Sequence, residues 1–294
     1  MGETLGTVAA LWRFPVKSML GETIDEADVC ERGIAGDRAY ALIDVETRKV
    51  VSAKNPKMWP GMFGCRASFV EPPRAGDELP AVRITLADGT SVLSDSADVD
   101  ASLSRFFARD VELAQAAPPD FTIDQYHPDI ADADPGGHRD TVVDQRLGSA
   151  FFDEAGLPSP VGVGSFFDLF PVSVLTTSTL DRLNELSPAS RFDERRFRMN
   201  MVVRTPEPGF VENEWVGRGL GVGDSVQLAV FIPDPRCVMP TLMQEDLPKD
   251  NEILRTLVRH NRLEVGGALS PCAGVYAVVT APGTVRSGDQ VMLA

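Results

Sequence analysis

The chain has 294 residues and a mass of 31.8 kDa, room for one large domain or two modest ones. Apolar residues make up 43% and charged residues 24%, which excludes wholesale disorder, and no apolar run is long enough for a membrane span. The balance of 28 Lys+Arg against 43 Asp+Glu, a net −15, opposes general binding to nucleic acid or to anionic lipid. It still allows a few cations to converge on an anionic ligand.

Met1 to Leu11 lacks a basic region followed by a long apolar stretch, so no signal peptide is read there. Thr7–Trp12, Tyr40–Asp44 and Val82–Leu86 are short runs of β-forming or alternating residues. Asp88-Gly89 supplies a hairpin turn, and Asp98 caps a short helix carrying Leu103, Phe106 and Phe107. Residues 116–147 are acidic and interrupted by Pro118-Pro119, His127-Pro128 and Asp134-Pro135-Gly136-Gly137, which reads as a long connecting loop or linker, either disordered or a surface excursion.

Order resumes after Phe151. A helix starts near Ser178, shows Leu180, Leu183 and Leu186, and stops at Pro188. Phe197–Val203 and Ser225–Phe231 are strands, with a turn-rich stretch over 205–209. Asp250 caps a helix with Ile253, Leu254, Leu257 and Val258 on one face. Val275–Thr280 and Val285–Leu293 close the chain as strands around Pro282-Gly283 and Gly288-Asp289. Many short strands with about three helices indicate an α+β, predominantly β fold, barrel-like with helices outside, and not a βαβ sheet. The expected division is 1–115, a linker over 116–147, and 148–294.

The four cysteines, Cys30, Cys65, Cys237 and Cys272, have no C-x-x-C spacing. This disfavours a disulfide framework, a structural zinc site or an iron–sulfur run, and suits a reducing cytoplasm. With only His127, His138 and His260, a His-rich metal site is excluded. The alternating glycines of 217–223 precede a strand and not a helix, so they read as a turn and not as a phosphate loop.

Cys237, in Asp234-Pro-Arg-Cys-Val-Met-Pro240, follows a strand and has Arg236 beside it. A cation favours the thiolate, which is both a nucleophile and a soft metal ligand. The alternative is an inert buried thiol. Arg196, Arg198 and Asn200 alternate along the expected strand and would share one face, suited either to an oxyanion or to solvated ion pairs. Pro15-Val-Lys-Ser18 and Gly36-Asp-Arg38 are polar insertions at strand ends. His260 is a candidate base or a polar-face helix residue.

Taken in order, Phe14-Pro-Val-Lys-Ser18, Gly36-Asp-Arg38, Arg196-Phe-Arg-Met-Asn200, Arg236-Cys237 and Gly274-Val-Tyr276 with Gly288-Asp289 resemble the MOSC proteins. The branch resembled has an N-terminal MOSC β-barrel domain and includes the amidoxime-reducing components. The resemblance implies a barrel-like MOSC domain with peripheral helices, a smaller N-terminal β-rich domain, and a molybdenum cofactor whose pterin carries a phosphate. It implies Cys237 as metal ligand and catalytic centre. Lys17, Ser18, Arg38, Arg198, Asn200 and Arg236, with the Thr176-Thr177-Ser178 stretch, would hold the cofactor. Pyridoxal phosphate binding is a further possibility at the level of the family.

The implied reaction is two-electron reduction of an N-hydroxylated small molecule. Electrons would come from separate proteins: cytochrome b5-like, ferredoxin or a flavin reductase. Met19, Met199 and Pro240-Thr241 stand where the family's amidoxime reducers carry Cys, Pro and Thr-Thr, which leaves the substrate type open. Two rival readings are a persulfide or cofactor carrier using Cys237, and a metal-free binding module or thiol enzyme on the same scaffold.

Overall fold

The computed structural model describes residues 2–294. Seven strands close into a barrel in the order Val172–Thr176, Met201–Arg204, Thr4–Arg13, Gln290–Leu293, Gly219–Val222, Val226–Pro235 and Ala268–Ala281. The ring shuts where Val172, Ser173 and Val174 pair with Ala277, Tyr276 and Val275. Val172–Thr176 runs parallel to Met201–Arg204; the other barrel pairings are antiparallel.

Side-chain alternation builds the interior. Along Val226–Pro235, Val226, Leu228 and Val230 point inward and are at most 2% exposed, while Phe231 faces out. Leu220 and Val222 do the same on the neighbouring strand. The alternating glycines are thereby explained: Gly219 and Gly221 form the outer face of a strand, and Gly217 and Gly223 make the turns at its ends.

A second core surrounds Val16, Tyr40, Leu42, Met62, Ile84 and Leu103. It lies between the meander Arg66–Phe69, Val82–Thr85 and Ser91–Leu93 and the helix Val99–Phe107. The Asp88-Gly89 turn is present, with the Gly89 N–H donating to the Leu86 carbonyl at 2.9 Å. The helices Thr177–Leu186 and Glu252–His260 pack outside the barrel. No helix among the described residues is long and apolar enough to cross a membrane.

Three expectations need correction. The sheets do not divide at residue 115: Thr4–Arg13 lies inside the barrel, and Glu26–Cys30 pairs with Gly283–Arg286. Strand alternation records which face is buried and says nothing of which distant strand pairs with it. Residues 116–147 are not a structureless linker. They hold the antiparallel hairpin Thr122–His127 with Thr141–Arg146, anchored by buried Phe121, Ile123 and Leu147. The acids that dominate this composition serve the hairpin's outer face and loop, and the prolines bound its strands. Phe197–Val203 is not one strand either. Asp193 accepts from the Arg195 N–H and caps a short helix, Glu194–Phe197; Arg198 then turns left-handed, with φ 57°, before the strand begins at Met201.

Leu220→Ala opens a cavity in the closed barrel and should cost about 2–5 kcal/mol in urea unfolding. Val163→Ala, on an exposed loop, should stay within about 0.5 kcal/mol.

Candidate functional site

Three separate stretches meet at one cavity of about 410 Å³. The barrel contributes Ser173, Asn200, Asp234 and Tyr276, together with Arg236 and Cys237 just past a strand end. The second core contributes Lys17, Ser18, Arg38 and Lys54, and the hairpin contributes Gln125, His127 and His138.

The loop carrying Lys17 and Ser18 is fastened to the Gly36-Asp37-Arg38 loop by backbone bonds. The Lys17 N–H donates to the Tyr40 carbonyl and the Arg38 N–H to the Phe14 carbonyl, both at 2.8 Å. Gly36 has φ 79°, and a Cβ there would come within 2.7 Å of the Phe69 ring, so the turn requires glycine. Asp37 is the hub of this region. It accepts from the Phe14 N–H at 2.7 Å and the Asn200 amide at 2.8 Å, and pairs with Arg38. The Asn200 amide oxygen also accepts from Ser173. Asn200 therefore borders the cavity, but its amide is already bonded at both ends and ties the barrel to the second core.

Five cations line the cavity: Lys17, Arg38, Lys54, Arg198 and Arg236. Asp168 sits between Lys17 and Lys54, 2.8 Å from the latter. Burial would raise its carboxyl, yet the two ammonium groups prevail and hold it well below the usual range. Burial pulls Lys17 down to about 8 against the opposing pull of Asp168. Arg198 stacks on Phe14 at 4.3 Å and donates to the Met19 carbonyl. Burial, reinforced by Arg38, takes it to about 9, an environment that needs an anion. Arg236 pairs with Asp234 and donates to the Phe197 carbonyl, while its buried Nε has no partner. Ser18, Arg38 and Arg198 are three of the eight non-glycine residues with positive φ among the described residues. Such backbone strain collects at functional sites.

Cys237 is a free, half-buried thiol on this wall, with Lys54 and Arg236 among its charged neighbours. The other three free cysteines do not line the cavity. Burial pushes Cys65 up to about 11 and Cys272 up to about 12, so both are inert thiols.

Thr176, Thr177 and Ser178, expected at the cofactor, do not line this cavity. Thr176, with Thr179, donates to buried Glu212, and Ser178 donates to the Glu207 carbonyl. Arg196 is also turned away and wholly buried, capping the carbonyls of Arg191, Pro240, Leu242 and Pro248. His260 lies outside the cavity. Met19, Met199 and Thr241 are packed in the interior and do not line the cavity. Sequence reasoning missed Lys54, Asp168 and the hairpin wall; a lone lysine and a lone aspartate carry no pattern to find them by.

The cavity wall thus gathers five cations and one free thiol. Residues 163–292 match the family model described as the MOSC domain, and residues 5–71 match that of the MOSC N-terminal beta barrel domain. The chain belongs to the MOSC family. This MOSC chain is 24% identical to mitochondrial amidoxime-reducing component 1 of Homo sapiens, across 99% of its own length and 84% of that protein's. Among solved structures, the YUAD protein from Bacillus subtilis aligns with a TM-score of 0.46 at 12% identity, covering 100% of this chain and 98% of that one. YiiM from Geobacillus stearothermophilus aligns with a TM-score of 0.29 at 17% identity, over 42% of this chain and 54% of that one.

An anion in the cavity should bind best with Lys17 protonated. Raising the pH through about 8 neutralises it in the free protein. Protons are then taken up on binding, so affinity falls as pH rises. Calorimetric titration with pyrophosphate from pH 6.5 to 9.5 should show steady affinity below about 8 and weakening above it.

Proposed function

We propose that this cavity binds a molybdenum cofactor and that the protein reduces N-hydroxylated small molecules with electrons from separate donor proteins. One observation carries the reading: the one cysteine that lines the cavity among the described residues has Lys54 and Arg236 for neighbours, in a cavity lined by five cations. The donor set fits. A thiolate suits a soft, high-valent metal, and guanidinium groups suit a phosphate. Buried Arg198 with no carboxylate bonded to it, and Arg236 with an orphaned Nε, are donors awaiting an acceptor. The likeness to an amidoxime-reducing component supports the choice of reaction.

In this reading Cys237 holds the metal. Lys17, Ser18, Arg38 and Arg198 bind the pterin and its phosphate, and Arg236 orients the Cys237 loop through Asp234 and the Phe197 carbonyl. When bound, the cofactor supplies two-electron oxygen-atom transfer, while the protein supplies binding, orientation and electrostatics. Burial, opposed by Arg236, raises Asp234 to about 6, and its Oδ1 has no hydrogen-bond partner. That oxygen can hold a proton at the cavity wall. The hairpin residues Gln125 and His127 line the same cavity.

The test is metal content after expression in a host that makes the cofactor. The parent should carry near-stoichiometric molybdenum, and Cys237→Ala should lose the metal and all reduction of a benzamidoxime in the presence of a donor mixture. Arg198→Met should retain less than about a tenth of the cofactor, since a buried guanidinium–phosphate bond is among the strong charge-assisted ones. A parent without molybdenum whose Cys237 carries one reductant-labile extra sulfur would replace this reading with the persulfide carrier.

A further inference from the structure

Two of the chain's three histidines stand together, and the reading above gives their rings no ligand. His127 ends the strand Thr122–His127, while Asp134 and His138 belong to the 128–140 loop that joins it to Thr141–Arg146. The loop folds back so that one carboxylate serves both rings. Asp134 Oδ1 lies 3.4 Å from His127 Nδ1, and Oδ2 lies 2.7 Å from His138 Nδ1. The ring centroids are 5.3 Å apart, and one ligand atom from each residue lies within 4.8 Å of the other two.

We infer that His127, Asp134 and His138 form a divalent-metal site of the zinc class, separate in its donors from Cys237. Four-coordinate zinc, with bonds of about 2.0–2.2 Å, needs ligand atoms about 3.3 Å apart. The Asp134–His127 pair at 3.4 Å already matches; the Asp134–His138 pair at 2.7 Å must open by about 0.6 Å and the widest pair close by at most about 1.5 Å, within reach of rotation of the His138 ring on its exposed loop. Protonating both imidazoles would set two cations side by side over one carboxylate. A single divalent ion satisfies both rings in their neutral form and keeps the carboxylate ionised. Gly136 leaves the necessary room: a Cβ there would stand 2.9 Å from His138 Nδ1 and 3.0 Å from Asp134 Oδ2.

Three protein ligands leave one tetrahedral position, and all three residues line the cavity, so that position opens towards it. The ion would pin the 128–140 loop to the end of its own strand at the cavity rim. Two neutral imidazoles and one carboxylate leave a net single positive charge there, which adds to the pull on an anionic ligand.

The experiment is calorimetric titration of zinc chloride into the full-length, chelator-treated protein, with thermal unfolding as a second readout. One equivalent should bind and raise the unfolding midpoint. His138→Ala and Asp134→Asn should each weaken binding at least tenfold. The unfolding midpoint of His138→Ala without zinc should be kept, because the His138 side chain is 44% exposed. Cys237→Ala should bind zinc as the parent does. No uptake by the parent, undiminished uptake by His138→Ala, or uptake lost only in Cys237→Ala would each overturn the assignment. The molybdenum content of the parent is read independently, so failure of one site leaves the other standing.

Discussion

Positive charge held out of water organises this protein. Lys17, Arg38, Lys54, Arg198 and Arg236 face one cavity, and all but Arg38 are at most 10% exposed. Isolated charges could not be buried this way without shifting or unfolding the site. Asp168 between the two lysines, Asp37 beside Arg38 and Asp234 beside Arg236 offset most of the cost. Arg198 lacks such a partner and leans on the ring of Phe14, which also carries Arg38 at 4.7 Å. The unfinished part of the balance is therefore local, and it faces the cavity.

The surrounding fold serves to bring those charges together from far apart in the chain. Closure of the barrel sets Tyr276 opposite Ser173, at the cavity's edge. Asn200, bonded to Ser173 on one side and Asp37 on the other, locks the barrel to the second core. Left-handed backbone at Ser18, Arg38 and Arg198 aims these residues where regular strands could not. Removing that lock would loosen the site before it loosened either core.

The hairpin over 122–146 gives the cavity its third wall and carries chemistry of its own. Its base is apolar, through Ile123 and Leu147, and its tip collects acids with two histidines. This division lets one short element be both packed and reactive. It also places any metal at the tip beside the cationic cavity without drawing on the same donors.

The chain's residues alone determined the β-rich class, the positions of most strands and both main helices, and the net negative charge, which opposes general nucleic-acid binding. Local chemistry singled out Cys237 beside Arg236, and Arg198 on a basic stretch, whereas Lys17, Ser18 and Arg38 were marked only by the resemblance of the ordered motifs to the MOSC proteins. Local patterns act over a few residues, so those parts were legible. Pairing partners act across the whole chain, so others were not. Only the tertiary structure put Thr4–Arg13 into the barrel, turned the Thr176–Ser178 stretch towards Glu212, and buried Arg196 among carbonyls. Only it set Lys54 and Asp168, 114 positions apart, in one ion pair, and brought His127 to Asp134 and His138. Each of those outcomes depends on which distant segment shares a buried face, and hydrophobic burial is non-directional until the whole chain has packed.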